Sequence, residues 1–169
     1  LQANTLSNIG LIYFDLDESA KSEEYLVKAL NIRKRIDDQY GLSVSFVNLG
    51  KLLEKQNKFQ LAIQNYNKGI EIKEKLEDDL GIAIAKANMS NIYLKLNQPN
   101  IALKHLQDSE AICLKNDAES NIMENVYIGY VQTYLELGNI ELAKKYNEKF
   151  FELNKKINSA SDAMKRTKT

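Results

Sequence analysis

Three asparagines stand 40 residues apart, at positions 8, 48 and 88. An amide side chain carries both a hydrogen-bond donor and an acceptor, so it can pair with a peptide backbone whatever that peptide's side chains are. We therefore interpret Asn8, Asn48 and Asn88 as a column of amides on one binding surface. Asparagines that only bond to neighbouring helices would show the same spacing, so this second interpretation stays open. The column ends at Gly129.

Other residue types that do chemistry are sparse in this chain. His105 is the only histidine and Cys113 the only cysteine, which excludes a histidine metal cluster and an internal disulfide framework. We expect His105 to be a packing or surface residue and Cys113 to be a buried structural thiol. The sequence contains no phosphate loop, nucleophile elbow or zinc-ligand spacing. We therefore expect no enzymatic activity and no cofactor, with a cryptic enzyme as the least favoured interpretation.

The charge of the chain argues against two classes of partner. Lys+Arg and Asp+Glu both number 23 in 169 residues, so the net charge is zero, whereas a nucleic-acid binder usually has a strong basic surplus. No apolar run approaches the roughly 20 residues that span a bilayer. We expect no nucleic-acid partner and no membrane contact by this segment. The chain begins at Leu1 with immediate helical periodicity, so we expect a piece of a longer protein, whose location stays unknown, with the cytoplasm slightly favoured.

The asparagines belong to a longer pattern that the sequence repeats four times, at intervals of 40, 40 and 41 residues. Residues at i, i+3, i+4 and i+7 are apolar or small, except for Lys86 at the first position of the third copy, and this is the spacing of one helix face. These sets are Leu6, Ile9, Gly10 and Tyr13; Phe46, Leu49, Gly50 and Leu53; Lys86, Met89, Ser90 and Tyr93; and Tyr127, Tyr130, Val131 and Tyr134. A second stripe follows each first one, as in Ala62, Tyr66 and Gly69. A period of 20–50 residues indicates a repeat array.

Turn residues divide each repeat into two helices. Asp17, Asn57, Asn97 and Gly138 follow the first helices, and these types tolerate the left-handed backbone beyond a helix end. We expect the second helices to be the longer ones, ending near residues 37, 77 and 115. Breaks are predicted at 38–41, 78–81 and 116–118. The sequence predicts one all-α domain over residues 1–158, with repeats at about 3–42, 43–82, 83–123 and 124–158, and a polar tail at 159–169 that frays.

This pattern resembles the tetratricopeptide repeat family. That family has a small-residue helix face, a tyrosine three residues on, a turn, and an alanine nine residues after the tyrosine. The matching residues are Gly10, Tyr13, Ala29, Gly50, Ala62, Tyr93, Ala102, Tyr134 and Ala143. The 40-residue spacing is similar to kinesin light chain and LGN-type arrays, and to repeat regions of bacterial histidine kinases and transcriptional regulators. The resemblance implies a right-handed α-solenoid of four hairpins and eight helices.

The resemblance also implies a binding surface, because first helices of this family line a concave groove that holds a protein or peptide partner. The nine residues that we expect there, named the groove residues, are Asn4, Asn8, Asn48, Lys51, Lys55, Asn88, Asn91, Lys95 and Gln132. Leu11, Val47 and Glu136 are expected beside them. The implied function is a non-enzymatic interaction scaffold. The alternative is a ligand- or peptide-sensing input module of a bacterial signalling protein.

Three further interpretations stay open. The groove lysines resemble part of the carboxylate clamp of chaperone-binding family members, although Leu11 replaces a clamp Asn and Asn88 a clamp Arg; an ordinary solvated face explains them equally. Tyr127, Tyr130 and Tyr134 are expected in the core, with an aromatic ligand wall as the alternative. Phe150, Phe151 and Leu153 stand near the end of the array, where an exposed apolar end favours a homo-oligomer.

Overall fold

The computed structural model describes the backbone of residues 1–116 and 120–166, and the side chains of residues 1–116 and 121–159. The helices are α1 (Gln2–Asp15), α2 (Ser19–Arg35), α3 (Gln39–Lys55), α4 (Phe59–Lys75), α5 (Asp79–Lys95), α6 (Pro99–Lys115), α7 (Ser120–Glu136) and α8 (Ile140–Arg166). The described residues contain no strand. The predicted all-α class and its eight helices are confirmed.

The chain forms two compact units, Leu1–Asn88 and Met89–Thr169, with the boundary inside α5. In the first unit, α1 packs against α2 and α3 against α4, while α2 also packs against α3. In the second unit, α6 packs against α7 and α7 against α8. The short turns make consecutive helices antiparallel, as expected.

The predicted alternation of shorter and longer helices is wrong, because α2 to α7 each contain 17 residues. The first helices begin earlier than expected. Asp38 precedes α3 and its side chain accepts a hydrogen bond from the Gly41 N–H at 2.8 Å, and Asp78 accepts one from the Gly81 N–H at 2.9 Å. Because an acidic N-cap satisfies one of the first unpaired N–H groups, these glycines lie inside the first helical turn and not in a break.

The turn residues adopt the backbone conformation that their types predict. The φ angles are 61° at Asp17, 58° at Asn57, 56° at Asn97 and 70° at Gly138. Left-handed backbone also occurs after second helices, at residues 37 and 77 with φ of 53° and 55°. The second helices therefore end before these residues, two residues earlier than predicted. The later break at 116–118 lies mostly outside the described residues.

Close packing inside each hairpin depends on small residues. The first unit has a core of Leu26, Leu30, Leu42, Leu49 and Leu52. A Cβ atom built on Gly50 of α3 would lie 3.0 Å from two ring carbons of Tyr66 on α4. Tyr66 is completely buried, so Gly50 sets how closely these two helices approach, as the sequence predicted.

The helix α8 extends to Arg166, past the start of the polar tail at Ser159. The fraying of this tail stays a prediction. Glycine and proline are absent between Ile140 and Arg166, so nothing in this stretch interrupts the helix. No described helix combines the length and the apolar character needed to cross a membrane.

Candidate functional site

A pocket of about 460 Å³ opens in the first unit, between residues of α1, α2 and α3. It is named the Arg33 pocket here, and its lining residues are Asn4, Ser7, Asn8, Leu11, Arg33, Asp38, Tyr40, Gly41, Val44 and Asn48. Three of the predicted groove residues, Asn4, Asn8 and Asn48, meet in this pocket. Leu11, which was expected beside them, lines it as well. The structure thus brings these four residues around one cavity, and their role in binding stays a prediction.

The buried residue Arg33 lines the pocket and contributes its positive charge. The Arg33 side chain is 4% exposed, and its guanidinium donates three hydrogen bonds. Nη1 donates to Ser7 Oγ at 2.9 Å and to Ser45 Oγ at 2.6 Å, and Nη2 donates to Asn4 Oδ1 at 2.8 Å. All three acceptors are neutral. The nearest carboxylate oxygen is Asp38 Oδ2, at 3.9 Å from Nε.

The local structure of two helix ends places this arginine. Arg33 lies in the last turn of α2, where a positive charge is favourable beside the helix dipole. Asp38 lies at the start of α3, where it caps the helix. A Cβ on Gly41 would overlap Asp38 Oδ2 and lie 2.6 Å from Arg33 Nε, so only glycine leaves room for both side chains. Burial lowers the pKa of Arg33, and the charge of Asp38 opposes this shift.

In the next hairpin, Lys73 occupies the position that corresponds to Arg33 and forms a direct ion pair with Asp78. Lys73 is 5% exposed, and its Nζ lies 2.6 Å from Asp78 Oδ2 and 5.5 Å from the centre of the Tyr40 ring. Arg33 and Lys73 are 40 residues apart, each followed by an aspartate five residues later. Sequence reasoning missed this pair of buried cations. The signal that predicts them is this repeated spacing of a basic residue and an aspartate.

Two residues expected in the groove are used within the first unit. The Lys55 Nζ donates to the Phe14 backbone oxygen at 2.6 Å, pairs with Asp17, and lies 4.4 Å from the centre of the Phe14 ring. Lys55 therefore holds the end of α1, and its place in the groove stays a prediction. Val47 is buried and faces Gly69 of α4, so its expected place beside the groove is wrong, because its side chain fills the space inside the hairpin.

The remaining groove residues stay a prediction. Lys51 and Asn91 are half-buried, whereas Lys95 and Gln132 are exposed. The Nδ2 of Asn88 is buried and makes no hydrogen bond within the described part of the chain. The end of the asparagine column has a steric reason, since a Cβ on Gly129 would lie 2.6 Å from Leu106 Cδ2.

Four tyrosines form a stacked cluster in the second unit. The Tyr146 ring lies 4.2 Å from Tyr130, 5.6 Å from Tyr134 and 6.0 Å from Tyr127. The Tyr130 hydroxyl donates to Glu110 at 2.8 Å. Burial, followed by the charge of Glu110, raises the pKa of Tyr146 to about 12. Tyr130 is 1% exposed and belongs to the core, as expected, whereas the other three are half-buried.

The single cysteine and the single histidine both pack against other parts of the protein. Cys113 is a buried thiol, and burial raises its pKa, which makes a thiolate nucleophile less available. His105 is half-buried and stacks on Tyr93 with ring centres 5.1 Å apart. Within the described residues no group of histidine, cysteine, aspartate or glutamate side chains is arranged to hold a metal ion.

Comparison with proteins of known structure supports the fold. The crystal structure of BtubC (BKLC) from P. vanneervenii is similar to this chain, with a TM-score of 0.79 and 16% sequence identity. The similarity covers 92% of this chain and 64% of that one, so this chain spans less than two thirds of its length. In all, 87 chains of known structure match, which makes the fold a poor guide to any single function. A search among curated proteins found no match.

Family models give the same result from the sequence side. Models of the tetratricopeptide repeat match residues 1–75 and residues 125–157, which together are more than half of the chain. The similarity to the BtubC crystal structure supports an all-α solenoid of such repeats. Proteins built from these repeats are generally non-enzymatic scaffolds for protein–protein interaction. This chain therefore belongs to the tetratricopeptide repeat family.

Proposed function

We propose that this chain is a non-enzymatic scaffold that holds a segment of a partner protein against the α1 and α3 face of its first unit. The observation that supports the proposal is the Arg33 pocket, in which Asn4, Asn8 and Asn48 surround one cavity. Amides offer donors and acceptors to a peptide backbone. A segment with any side chains can therefore pair with Asn8 and Asn48, while one of its side chains enters the pocket.

The exposure of these amides suits that task. Asn8 is exposed and Asn48 half-buried, so a partner can reach both of them without unfolding a helix. Asn88 lies on α5 and does not line the pocket, and its Nδ2 is buried. We therefore restrict the proposed contacts to Asn8 and Asn48.

Peptides selected from a random display library against the wild-type chain provide the test. We expect the double variant Asn8→Ala, Asn48→Ala to bind the selected peptide at least tenfold more weakly in calorimetry. The matched control is Asn31→Ala, Asn67→Ala, which changes two exposed asparagines outside the pocket and should stay within twofold of wild type. Equal affinity of the Asn8 and Asn48 variant, with unchanged helicity, would refute the asparagine contacts.

The pocket volume favours a second candidate function, a ligand- or peptide-sensing input module of a bacterial signalling protein. About 460 Å³ lies within the 300–1,000 Å³ range of small-molecule sites. In a thermal-shift screen, a small molecule that raises the melting temperature of the wild type but not of the Asn8 and Asn48 variant would support sensing. A binder that acts equally on both proteins would place the ligand elsewhere.

A further inference from the structure

We infer that the Arg33 pocket is a receptor for a carboxylate group, with Ser7 and Asn4 as its donors and Arg33 as the charge behind them. The inference rests on the proposed function, because the carboxylate would belong to the bound partner segment. It differs from a clamp built on Lys51, Lys55 and Lys95, none of which lines this pocket.

Arg33 can donate hydrogen bonds but cannot accept them. A guanidinium carries five N–H donors and no acceptor, so every group that it bonds must present a lone pair to it. Ser7 Oγ and Asn4 Oδ1 do so, at 2.9 Å and 2.8 Å. Arg33 thereby determines the orientation of both side chains.

The orientation decides what these side chains present to the pocket. With its oxygen held by Arg33, Asn4 must direct its Nδ2 donors away from the guanidinium. Ser7 likewise keeps its O–H proton for a further hydrogen bond, because its Oγ is the acceptor in the bond with Arg33. Both residues line the pocket, so the cavity is provided with N–H and O–H donors. Such a surface binds an acceptor, most favourably a negative one.

The charge of Arg33 is only partly compensated inside the protein. Nε makes no hydrogen bond within the described residues, and the nearest Asp38 oxygen is 3.9 Å away. In the following hairpin, the corresponding Lys73 and Asp78 are in contact at 2.6 Å. The ion pair of Arg33 with Asp38 is therefore a loose one, and a second negative group near the buried guanidinium would stabilise it. The buried cation of the first hairpin is therefore less well neutralised than the buried cation of the second.

The chemical class follows from the same charges. Asp38 lines the pocket, so a dianion such as phosphate meets a repulsive negative charge that a single arginine cannot offset. A neutral carbonyl gains the hydrogen bonds but not the charge interaction. A carboxylate gains both, since hydrogen bonds to an ionised acceptor are about twice as strong as neutral ones.

Side-chain N–H signals in ¹⁵N nuclear magnetic resonance give a direct test. The chain has only three arginines, Arg33, Arg35 and Arg166, so the Nε–H signal of Arg33 can be assigned with an Arg35→Lys and an Arg166→Lys variant. The probes are sodium acetate, the isosteric neutral acetamide, and sodium phosphate, each at constant pH and ionic strength. We expect acetate to shift the signals of Arg33 and Asn4 saturably, and acetamide and phosphate to bind at least tenfold more weakly.

A substitution that supplies the carboxylate internally sharpens the test. Asn4 is exposed, so Asn4→Asp should fold normally and place a carboxylate beside Arg33 Nη2. We expect this variant to bind acetate at least tenfold more weakly. The control Asn67→Asp makes the same charge change on an exposed part of α4 and should stay within twofold of wild type.

Four results would overturn the inference: no saturable acetate shift, acetamide binding as tightly as acetate, phosphate binding more tightly than acetate, or wild-type acetate affinity in Asn4→Asp. The proposed scaffold function fails on a different result. If selected peptides bind and depend on Asn8 and Asn48 while acetate does not bind, the scaffold stands and only the carboxylate site is lost.

Discussion

Replacement of Gly50 by leucine tests how the hairpin α3–α4 determines its own spacing. A Cβ at this position would lie 3.0 Å from Tyr66 Cδ1 and Cε1 and 3.1 Å from Cζ. Tyr66 is completely buried and its hydroxyl lies 3.4 Å from Glu54 Oε2, so the ring has little room to move. A leucine adds three more carbon atoms beyond the Cβ, which must push α3 and α4 apart.

The magnitude follows from two opposing effects. Overpacking of a buried site costs about 1–3 kcal/mol, and the lack of mobility of Tyr66 puts Gly50→Leu at the upper end. Removing a glycine from a helix interior returns about 0.8–1 kcal/mol. We therefore expect a net loss of about 2 kcal/mol in the free energy of unfolding.

Urea unfolding followed by circular dichroism measures this loss. With a typical m-value of about 1–3 kcal/mol/M, the midpoint should fall by roughly 1 M. The control Gln64→Leu adds the same side chain at an exposed position of α4 and should change the stability by less than about 0.5 kcal/mol. In a Tyr66→Ala background, leucine at position 50 can enter the vacated space. We expect a coupling energy of at least about 1 kcal/mol between the two sites.

An unchanged midpoint for Gly50→Leu would refute the steric argument. So would additive effects of Gly50→Leu and Tyr66→Ala, because additivity means that the two residues do not compete for the same space. A larger loss in Gln64→Leu than in Gly50→Leu would show that the leucine side chain itself destabilises the hairpin.

Turn residues and buried polar contacts should also contribute measurably to stability. Asn57→Ala should cost about 1–2 kcal/mol because its φ of 58° is left-handed, whereas Asn57→Gly should be nearly neutral; urea midpoints separate the two. Burial raises the pKa of Asp78, but the Lys73 hydrogen bond and a backbone N–H lower it more, so the stability contributed above the unfolded pKa is lost as pH falls through the folded pKa. Acid unfolding of Asp78→Asn should lack this component. Tyr130→Phe should cost about 1–3 kcal/mol in thermal unfolding by leaving a half-buried Glu110 without its donor, and an unchanged melting temperature would contradict that expectation.

The repeat, the helix count and the first set of turns could be predicted because each depends on local chemistry. A helix face needs apolar residues at 3.6-residue spacing, and a left-handed turn needs Asn, Asp or Gly, whatever lies around it. These requirements recur at one phase, so Asn57 and Asn97 were recognised from the sequence alone. The same reasoning put Asn4 and Asn8 on one face of α1 and Asn48 on the corresponding face of α3.

The helix starts were less predictable because a glycine can either mark a break between helices or lie in the first turn of a helix. The sequence pattern predicts breaks that include Gly41 and Gly81, whereas each glycine lies in a first helical turn capped by the aspartate three residues before it. Its lack of a Cβ makes room for Asp38 and Arg33, or for Asp78 and Lys73. A close contact between residues that are eight positions apart is not visible in a helical pattern.

The sequence by itself determined a chain of four helical hairpins, its turns and the face that carries the asparagines, since these follow from periodicity and backbone preference. Only the tertiary structure decided which charges are buried. Arg33 and Lys73 look like ordinary surface residues of polar helix ends, yet both are nearly inaccessible. The reason is that burial depends on the neighbouring helix, because Arg33 of α2 is enclosed by Ser7 of α1 and Ser45 of α3. The pocket that Asn8 and Asn48 line therefore also contains the charge of Arg33. Residue spacing within one helix does not predict this.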